Sequence, residues 1–285
     1  IGFNAIGKTT QESLYRDGEE VFLYDGKDPY FRAHPGALVE TYPHPFLGSQ
    51  LILAYRTGLA GGQKPVVEEW IRRQLSMQFF EFVPDVLRRY GTSADLPRMG
   101  ELGENFASLV RAICSDPATK EAYLTWLREL RPRELDDVTV LKGAVGEPLF
   151  ATVEAGRTFP APVLSDGTLR FAALAAAFFQ PAIPEVVAIE EIENGIHASR
   201  LRILLQLLRS RAGQTTTQVM ATTHSPLLLD WLTETEWETT FFCHREPETG
   251  ATVVLPLTEL PGFRSAAKPG RIGQLLAEGW MDFAL

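Results

Sequence analysis

Cysteine is scarce in this 285-residue sequence, which contains only Cys114 and Cys243. Two thiols form neither a disulfide framework nor a metal-binding set, so a small disulfide-stabilised secreted protein is excluded and a reducing compartment fits best. Long apolar runs are missing too. The longest, at residues 171–179, falls short of the about 18 to 20 residues that a membrane-spanning helix needs. We therefore expect a cytoplasmic protein that makes no contact with a membrane.

Positive charge is in the minority. Lysine and arginine number 27 against 36 aspartates and glutamates, which gives a formal net charge of −9. This balance argues against a protein whose whole surface binds nucleic acid, although it is compatible with a local basic groove. The hydrophobic content of 45% is ordinary for a globular protein with a real core.

The pattern of apolar residues divides the chain into three parts: an N-terminal part at 1–64, a helical insertion at 65–135 and a C-terminal part at 136–285. The insertion shows helical spacing, for example in 66-VVEEWIRRQLSMQFF-80 and 120-KEAYLTWLREL-130. In the C-terminal part, strand-like and helix-like segments alternate, which is typical of a parallel sheet covered by helices. We predict an α/β fold, with a mainly parallel sheet flanked by helices and some antiparallel strands. Strands are predicted at 138–145, 148–155, 185–191, 216–223, 241–242 and 251–255, with helices at 199–211 and after Pro226.

The N-terminal segment 2-GFNAIGKT-9 matches the phosphate-loop pattern G-x-x-x-x-G-K-[ST]. In such a loop the glycines let backbone N–H groups surround phosphate oxygens, Lys8 reaches the β- and γ-phosphates, and Thr9 offers its hydroxyl to Mg²⁺. The alternative is a glycine-rich turn that ends in Lys-Thr by chance. The nucleotide-binding residues predicted here are Gly2, Asn4, Gly7, Lys8, Thr9 and Thr10.

The sequence after this loop is unusual. A phosphate loop opens a helix of ten or more residues, whereas 11-QESLYRDG-18 allows barely two helical turns before Gly18. We hypothesise that residues are missing from the sequence near Thr10 and Gln11.

Two adjacent carboxylates end the apolar segment in 185-EVVAIEEIENGIH-197. Ligands in open α/β sheets bind at the carboxyl ends of the strands. We predict that Glu190 holds Mg²⁺, directly or through water, and that Glu191 orients or deprotonates an attacking water. The alternative is that both acids only mark the solvent end of a strand.

A histidine follows the next predicted strand, in 219-VMATTHSP-226. At a strand end His224 is placed to hydrogen-bond a γ-phosphate or to position a water. The alternative is that it caps the following helix.

A polar turn, 164-LSDGT-168, precedes a segment rich in small apolar residues. Ser165 or Asp166 is suited to cap a helix there, and the free N–H groups of that helix end attract an anion. Gly167 is predicted to let a phosphate approach closely.

Together these four segments resemble the ATP-binding-cassette type of P-loop ATPase, within the predicted AAA-type branch related to the overcoming-lysogenization-defect, RecF and SMC heads. The quoted LSDGT stands where that superfamily has its signature motif, AIEE is similar to Walker B, ENGIH to the D-loop, and His224 to the switch histidine. The likeness is near identity in 164-LSDGTLRF-171 and 222-TTHSPLLLD-230, and it extends over most of the chain from about residue 65 onward.

The resemblance implies a site shared by two copies of the chain. One copy supplies Lys8, Thr9, Glu190, Glu191 and His224, and the other presents Ser165 and Gly167 to the γ-phosphate. ATP and Mg²⁺ are the implied ligands, and ATP would join two heads into a homodimer or higher oligomer that hydrolysis releases.

Several residues depart from the family pattern. Glu190 replaces the usual aspartate, which is expected to shift Mg²⁺ or its waters, and Ile192 replaces a proline. Ala5 and Ile6 stand where glycine and serine are common, and Gln50 is the only candidate for a glutamine that contacts Mg²⁺.

The expected activity is ATP hydrolysis that couples head engagement to a separately encoded nuclease or other effector, in DNA maintenance or defence against phage. Two alternatives remain: a nucleotide-gated dimerising scaffold with little hydrolysis, and the ATPase subunit of a transporter. DNA binding is a weaker hypothesis, against the alternative of solvated helix faces, and it rests on Arg72, Arg73, Arg88 and Arg89.

Overall fold

The structure is a computed structural model, and it describes side chains at residues 76–91, 98–130, 134–213, 217–246 and 250–280. Before residue 76 it describes the backbone of five short strands. The chain divides into two compact units, Ile1–Met77 and Gln78–Leu285. The second unit contains residues 78–135 of the proposed helical insertion together with the C-terminal part. The domain boundaries at residues 64 and 135 stay predictions.

The strands of the first unit form one antiparallel sheet in the order β1-β2-β3-β4-β5. Gly2 pairs with Gln11, and Phe3 pairs with Thr9. The residues after the glycine-rich loop therefore form a strand, where a phosphate loop would open a helix. The hypothesis of missing residues near Thr10 and Gln11 stays a prediction, since the continuous helix that would contradict it is not formed there. The five strands are β1 Gly2–Phe3, β2 Thr9–Arg16, β3 Glu19–Tyr24, β4 Pro29–Phe31 and β5 Glu40–Thr41.

A three-stranded sheet carries the acid-bearing segment of the second unit. Strand β10 (Val186–Ile189) pairs in parallel with β11 (Gln218–Ala221), from Val186 opposite Gln218 to Ile189 opposite Ala221. Strand β6 (Met77–Phe80) lies on the other side of β10, giving the order β11-β10-β6. The strand predicted to end at the acid pair and the strand predicted before His224 are both confirmed.

Strand β6 corrects one expectation, because residues 77–80 were predicted to continue a helix from residue 66. Phe80 is buried whereas its neighbour Phe79 is 59% exposed, and this alternation suits a strand with one face in the core. The Phe80 carbonyl also accepts the backbone N–H of Glu190 at 3.2 Å. Residues 66–75 of the predicted helix lie outside the described residues.

The core of the second unit surrounds a helix made largely of alanine, α4 (Asp166–Phe178), which is buried at every position from Phe171 to its end. Small side chains let neighbouring elements approach this helix closely. The Tyr123 hydroxyl donates to the carbonyl of Ala172 at 3.0 Å, which joins α4 to α3. The other elements of this layer are α1 Pro84–Leu87, α2 Phe106–Ser115, α3 Pro117–Leu130 and α5 Leu201–Gln214, with an antiparallel sheet of β7 Asp137–Lys142, β8 Pro148–Glu154 and β9 Arg157–Pro160.

A second, smaller hydrophobic cluster lies in the C-terminal segment, around Trp237, Leu257 and Phe263. The two strands predicted there are confirmed as an antiparallel pair, β12 Phe241–Arg245 and β13 Thr252–Pro256. The short helices around them are α6 Pro226–Asp230, α7 Glu234–Trp237, α8 Phe263–Ala266 and α9 Ile272–Ala277.

The α/β class is confirmed, since parallel strands, antiparallel strands and helices occur together. Among the described residues, no helix combines the length and the apolar character that crossing a membrane requires.

Candidate functional site

The polar turn at residues 164–168, here called the signature turn, begins helix α4. Ser165 has extended backbone angles and its side chain accepts the backbone N–H of Thr168 at 3.2 Å, so it is the N-cap of the helix. Its hydroxyl also lies 2.8 Å from that of Thr168. The cap predicted from the sequence is confirmed, and it is Ser165 rather than Asp166.

An arginine from a distant part of the chain holds the signature turn in place. Arg88 follows helix α1 and donates to the carbonyl of Leu164 at 3.1 Å. The same guanidinium forms an ion pair with Asp166, the first residue of α4. Arg88 was a candidate for DNA binding, which stays a prediction; in the structure it fixes this turn. Arg89 is exposed, and Arg72 and Arg73 lie outside the described residues.

The glycine of the signature turn has a packing role. A Cβ atom added to Gly167 would lie 2.5 Å from the carbonyl oxygen of Gly195, a distance that side chains do not tolerate. Gly195 itself has a left-handed φ of 71°, which favours glycine. The absence of a side chain at Gly167 is thus already required by the packing of Gly195, and the close approach of a phosphate there stays a prediction.

Residues 190–196, here called the acid turn, follow strand β10. The side chains of Glu190 and Glu191 are exposed at the carboxyl end of the strand. Glu191 has a left-handed φ of 43°, and Asn194 donates to its carboxylate at 3.2 Å. Glu190 has no side-chain hydrogen bond within the described part of the chain, so its carboxylate is free to meet a ligand.

The segment 222–225, here called the switch loop, is attached to the acid turn by hydrogen bonds. The backbone N–H of Glu191 donates to the Thr222 hydroxyl at 2.9 Å, and that of Ile192 donates to the Thr222 carbonyl at 3.1 Å. The backbone N–H of His224 donates to the Glu193 carboxylate at 2.7 Å. The structure therefore brings the predicted His224 and the predicted acid pair into one cluster.

The signature turn and the acid turn share a cavity of about 790 Å³. Its polar lining includes Ser165, Thr168, His197 and Arg200, and its apolar side includes Phe159. Residues 165–168 at the N-terminus of α4 line this cavity, and a helix N-terminus favours an anion. Glu190 and Glu191 line a second, small cavity, which shares Ile196 with the larger one but does not include Ser165.

Magnesium would find oxygen ligands at the acid pair. Within the described residues, no cluster of three or more histidine, cysteine or acidic side chains forms a metal site. Mg²⁺ is commonly bound by only one or two carboxylates together with phosphate oxygens and water. The free carboxylate of Glu190 fits that role.

The N-terminal candidates can be placed only in part. Gly2, Thr9 and Thr10 lie in strands β1 and β2, and their side chains are outside the described residues. Asn4, Gly7, Lys8 and Gln50 also lie outside the described residues. Their roles in phosphate binding stay predictions.

Residues 124–230 match a family model described as "AAA domain, putative AbiEii toxin, Type IV TA system". This match covers less than half of the chain, and it contains the signature turn, the acid turn and the switch loop. It confirms the resemblance to an AAA-type ATPase branch that the motifs indicated. A search of curated proteins finds no match.

Several solved SMC heads are similar in structure. One, from work on "ATP-driven dimerization and DNA stimulated activation of SMC ATPases", has 12% identity and a TM-score of 0.41, and the match covers 60% of this chain and 96% of that chain. An SmcHead bound to the C-winged helix domain of ScpA has 11% identity and a TM-score of 0.43, covering 85% and 70%. The SMC head domain from Thermotoga maritima has 13% identity and a TM-score of 0.36, covering 86% and 72%. At these values no residue role is carried over from them.

Sequence reasoning missed the residues that support this site. Arg88 was assigned to a solvent or DNA-binding face, and no role was given to Glu193, Gly195 or Thr222. Two signals were available: the glycine at 195 in a polar turn, and the acid two residues after the acid pair. Neither reveals its partner, because each contact joins segments far apart in the sequence.

Proposed function

We propose that this chain is an ATPase head that binds Mg-ATP between two copies of itself and hydrolyses it. The observation that carries the proposal is the cluster at the ends of β10 and β11. There the acid turn and the switch loop are joined by backbone N–H groups that donate to the Thr222 hydroxyl, the Thr222 carbonyl and the Glu193 carboxylate, while Glu190, Glu191 and His224 keep exposed side chains. Such an arrangement fixes the backbone at these residues and leaves their side chains accessible to a ligand.

In the proposed reaction Glu191 accepts a proton from a water that attacks the γ-phosphorus. The bond from that phosphorus to the bridging oxygen breaks, which yields ADP and inorganic phosphate. Glu190 holds Mg²⁺, which neutralises phosphate charge when it is bound. His224 hydrogen-bonds the γ-phosphate or the attacking water, and Lys8 and Thr9 are proposed to hold the phosphates and the metal.

The second copy is proposed to contribute its signature turn. The N-terminus of α4 lines the cavity beside Ser165, whereas the acid pair of the same unit lines the second, small cavity. A phosphate held at one copy's acid pair would then meet the Ser165 hydroxyl of the other copy. Because that contact exists only with a γ-phosphate present, dimerisation would report the nucleotide state.

The test is the phosphate release rate of the wild type and of Glu191→Gln, which removes the proton acceptor but keeps the shape. A general base contributes about 10²- to 10⁴-fold, so we expect a loss of at least about 100-fold. Glu259→Gln is the matched control, since Glu259 is an exposed acid in the C-terminal segment, and its rate should equal the wild-type rate. Light scattering of Glu191→Gln with Mg-ATP should show a dimer that Mg-ADP does not support.

A nucleotide-gated scaffold is the second candidate, and the longer Glu190 in place of aspartate favours it. Equal and negligible phosphate release by wild type and Glu191→Gln, together with an ATP-dependent dimer, would establish the scaffold and reject the enzyme. In either case a separately encoded nuclease or other effector is the proposed partner. Co-purification with Glu191→Gln in the presence of ATP would identify it.

A further inference from the structure

The side chain of Glu193 lies between the acid turn and the switch loop. One carboxylate oxygen, Oε1, accepts the backbone N–H of His224 at 2.7 Å, across a separation of 31 residues. The other oxygen, Oε2, is buried and has no hydrogen-bond partner among the residues that the structure describes. Glu193 is therefore held inside the cluster although it contributes no side-chain atom to the predicted phosphate or metal contacts.

A half-buried carboxylate in this position lowers the stability of the fold. A buried oxygen without a hydrogen bond loses its hydration, and nothing within the described residues replaces it. The bond to the His224 N–H is charge-assisted and short, the kind that fixes a backbone firmly. The arrangement thus lowers stability at Oε2 while it fixes one peptide group, that of His224.

We propose that Glu193 is the positioning residue for His224, whose backbone it holds against the acid turn that carries Glu190 and Glu191. This rests on the proposed ATPase function. Thr222 anchors the start of the switch loop through its hydroxyl and carbonyl, and Glu193 anchors the next part of the loop.

Glu193 also connects His224 to the proposed inter-copy face. Its backbone carbonyl accepts the N–H of Ile196 at 3.0 Å, and Ile196 lines the cavity beside the signature turn together with Gly195. Gly195 in turn packs directly on Gly167. A displacement of the signature turn by a second copy would therefore reach His224 through three contacts: Gly167 with Gly195, Ile196 with Glu193, and Glu193 with His224.

The first measurement needs no activity: hydrogen exchange of the His224 amide in the full chain without nucleotide. Glu193→Ala removes the acceptor, so exchange at His224 should rise at least about tenfold, as expected for loss of a hydrogen bond to a charged group. Glu193→Gln keeps an acceptor oxygen and should stay within about threefold of wild type. Asp116→Ala is the matched control, because Asp116 also accepts a backbone N–H, that of Thr119 at 2.8 Å, far from the switch loop; it should not change exchange at His224.

The second measurement separates positioning from folding. Glu193→Ala should lower kcat for phosphate release at least about tenfold with KM for ATP within about twofold, and Glu193→Gln should restore most of kcat. In a His224→Ala background, Glu193→Ala should have no further effect on kcat, because it acts through His224.

Unchanged exchange at His224 in Glu193→Ala would overturn the proposal, and so would an additive loss of kcat in the double variant. If the wild type releases no phosphate, the ATPase proposal fails, while the exchange measurement still decides whether Glu193 holds the switch loop.

Discussion

The signature turn and the acid turn adjoin each other, yet they use their side chains in opposite ways. In the signature turn the side chains are engaged: Ser165 caps α4, Asp166 pairs with Arg88, and Gly167 leaves room for Gly195. In the acid turn the backbone is engaged, through N–H groups that donate to Thr222, while Glu190 and Glu191 remain exposed. The signature turn thus uses its side chains to hold itself together, whereas the acid turn leaves the carboxylates of Glu190 and Glu191 exposed.

Because of this difference, the two turns can bind different parts of a ligand. The acid turn offers carboxylates, which suit a cation and a water. The signature turn offers a helix end and a hydroxyl already shared with Thr168, which suit an anion brought by another molecule. Under the proposed function the two turns therefore complete one site only when they come from different copies.

The largest expected effect comes from Gly167→Ala, which tests whether the signature turn is limited by packing. The new Cβ would meet the Gly195 carbonyl at 2.5 Å. Overpacking of this kind lowers the free energy of unfolding by about 1 to 3 kcal/mol. Chemical denaturation measures this loss. The ATP-dependent dimer should weaken as well, since the displaced acid turn carries the proposed catalytic groups.

Gly213→Ala is the matched control for that substitution. Gly213 lies in helix α5 and a Cβ there would meet nothing within 4 Å, so alanine should stabilise the helix by about 0.5 to 1 kcal/mol. Equal effects of the two substitutions would show that Gly167 is not constrained by Gly195, and the comparison between the turns would fail.

The sequence was a good guide to the elements that carry the cluster. Strands β10 and β11 were visible as short apolar segments, and the acids and histidine at their ends follow from where parallel strands end. The N-cap at Ser165 was visible for a similar local reason. These features depend on neighbours in the sequence, so composition and spacing reveal them.

The supporting contacts were not predictable in this way. The bond from Arg88 to Leu164 spans 76 residues, and the bond from His224 to Glu193 spans 31. Residues 77–80 were predicted to be helical from a local apolar pattern that fits both the helix and the strand period. Pairing with β10 makes them a strand. Partners brought together by the fold leave no signal at either position alone.

Removing Arg88 should give the next largest effect, because it releases the signature turn from outside. Arg88→Ala leaves the Leu164 carbonyl and Asp166 without this donor, and we expect a loss of about 1 to 2 kcal/mol. Arg89→Ala, at the adjacent exposed position, should stay within about 0.5 kcal/mol of wild type. Chemical denaturation at low and high salt measures the free energy of unfolding of both variants. An equal loss in both would mean that Arg88 acts only through overall charge.

The smallest effect concerns the backbone of the acid turn. Glu191 has a φ of 43°, a left-handed conformation that costs a side-chain-bearing residue about 1 to 2 kcal/mol. Glycine avoids this cost but loses more entropy on folding, so Glu191→Gly should be about 0.5 to 1 kcal/mol more stable than Glu191→Ala. Ala155, with a φ of 47° between β8 and β9, provides the control: Ala155→Gly should gain a similar amount and leave phosphate release unchanged. If Glu191→Gly gains nothing over Glu191→Ala while Ala155→Gly is stabilised, the acid turn is not strained, and its exposed carboxylates owe their position to the Thr222 and Asn194 hydrogen bonds alone.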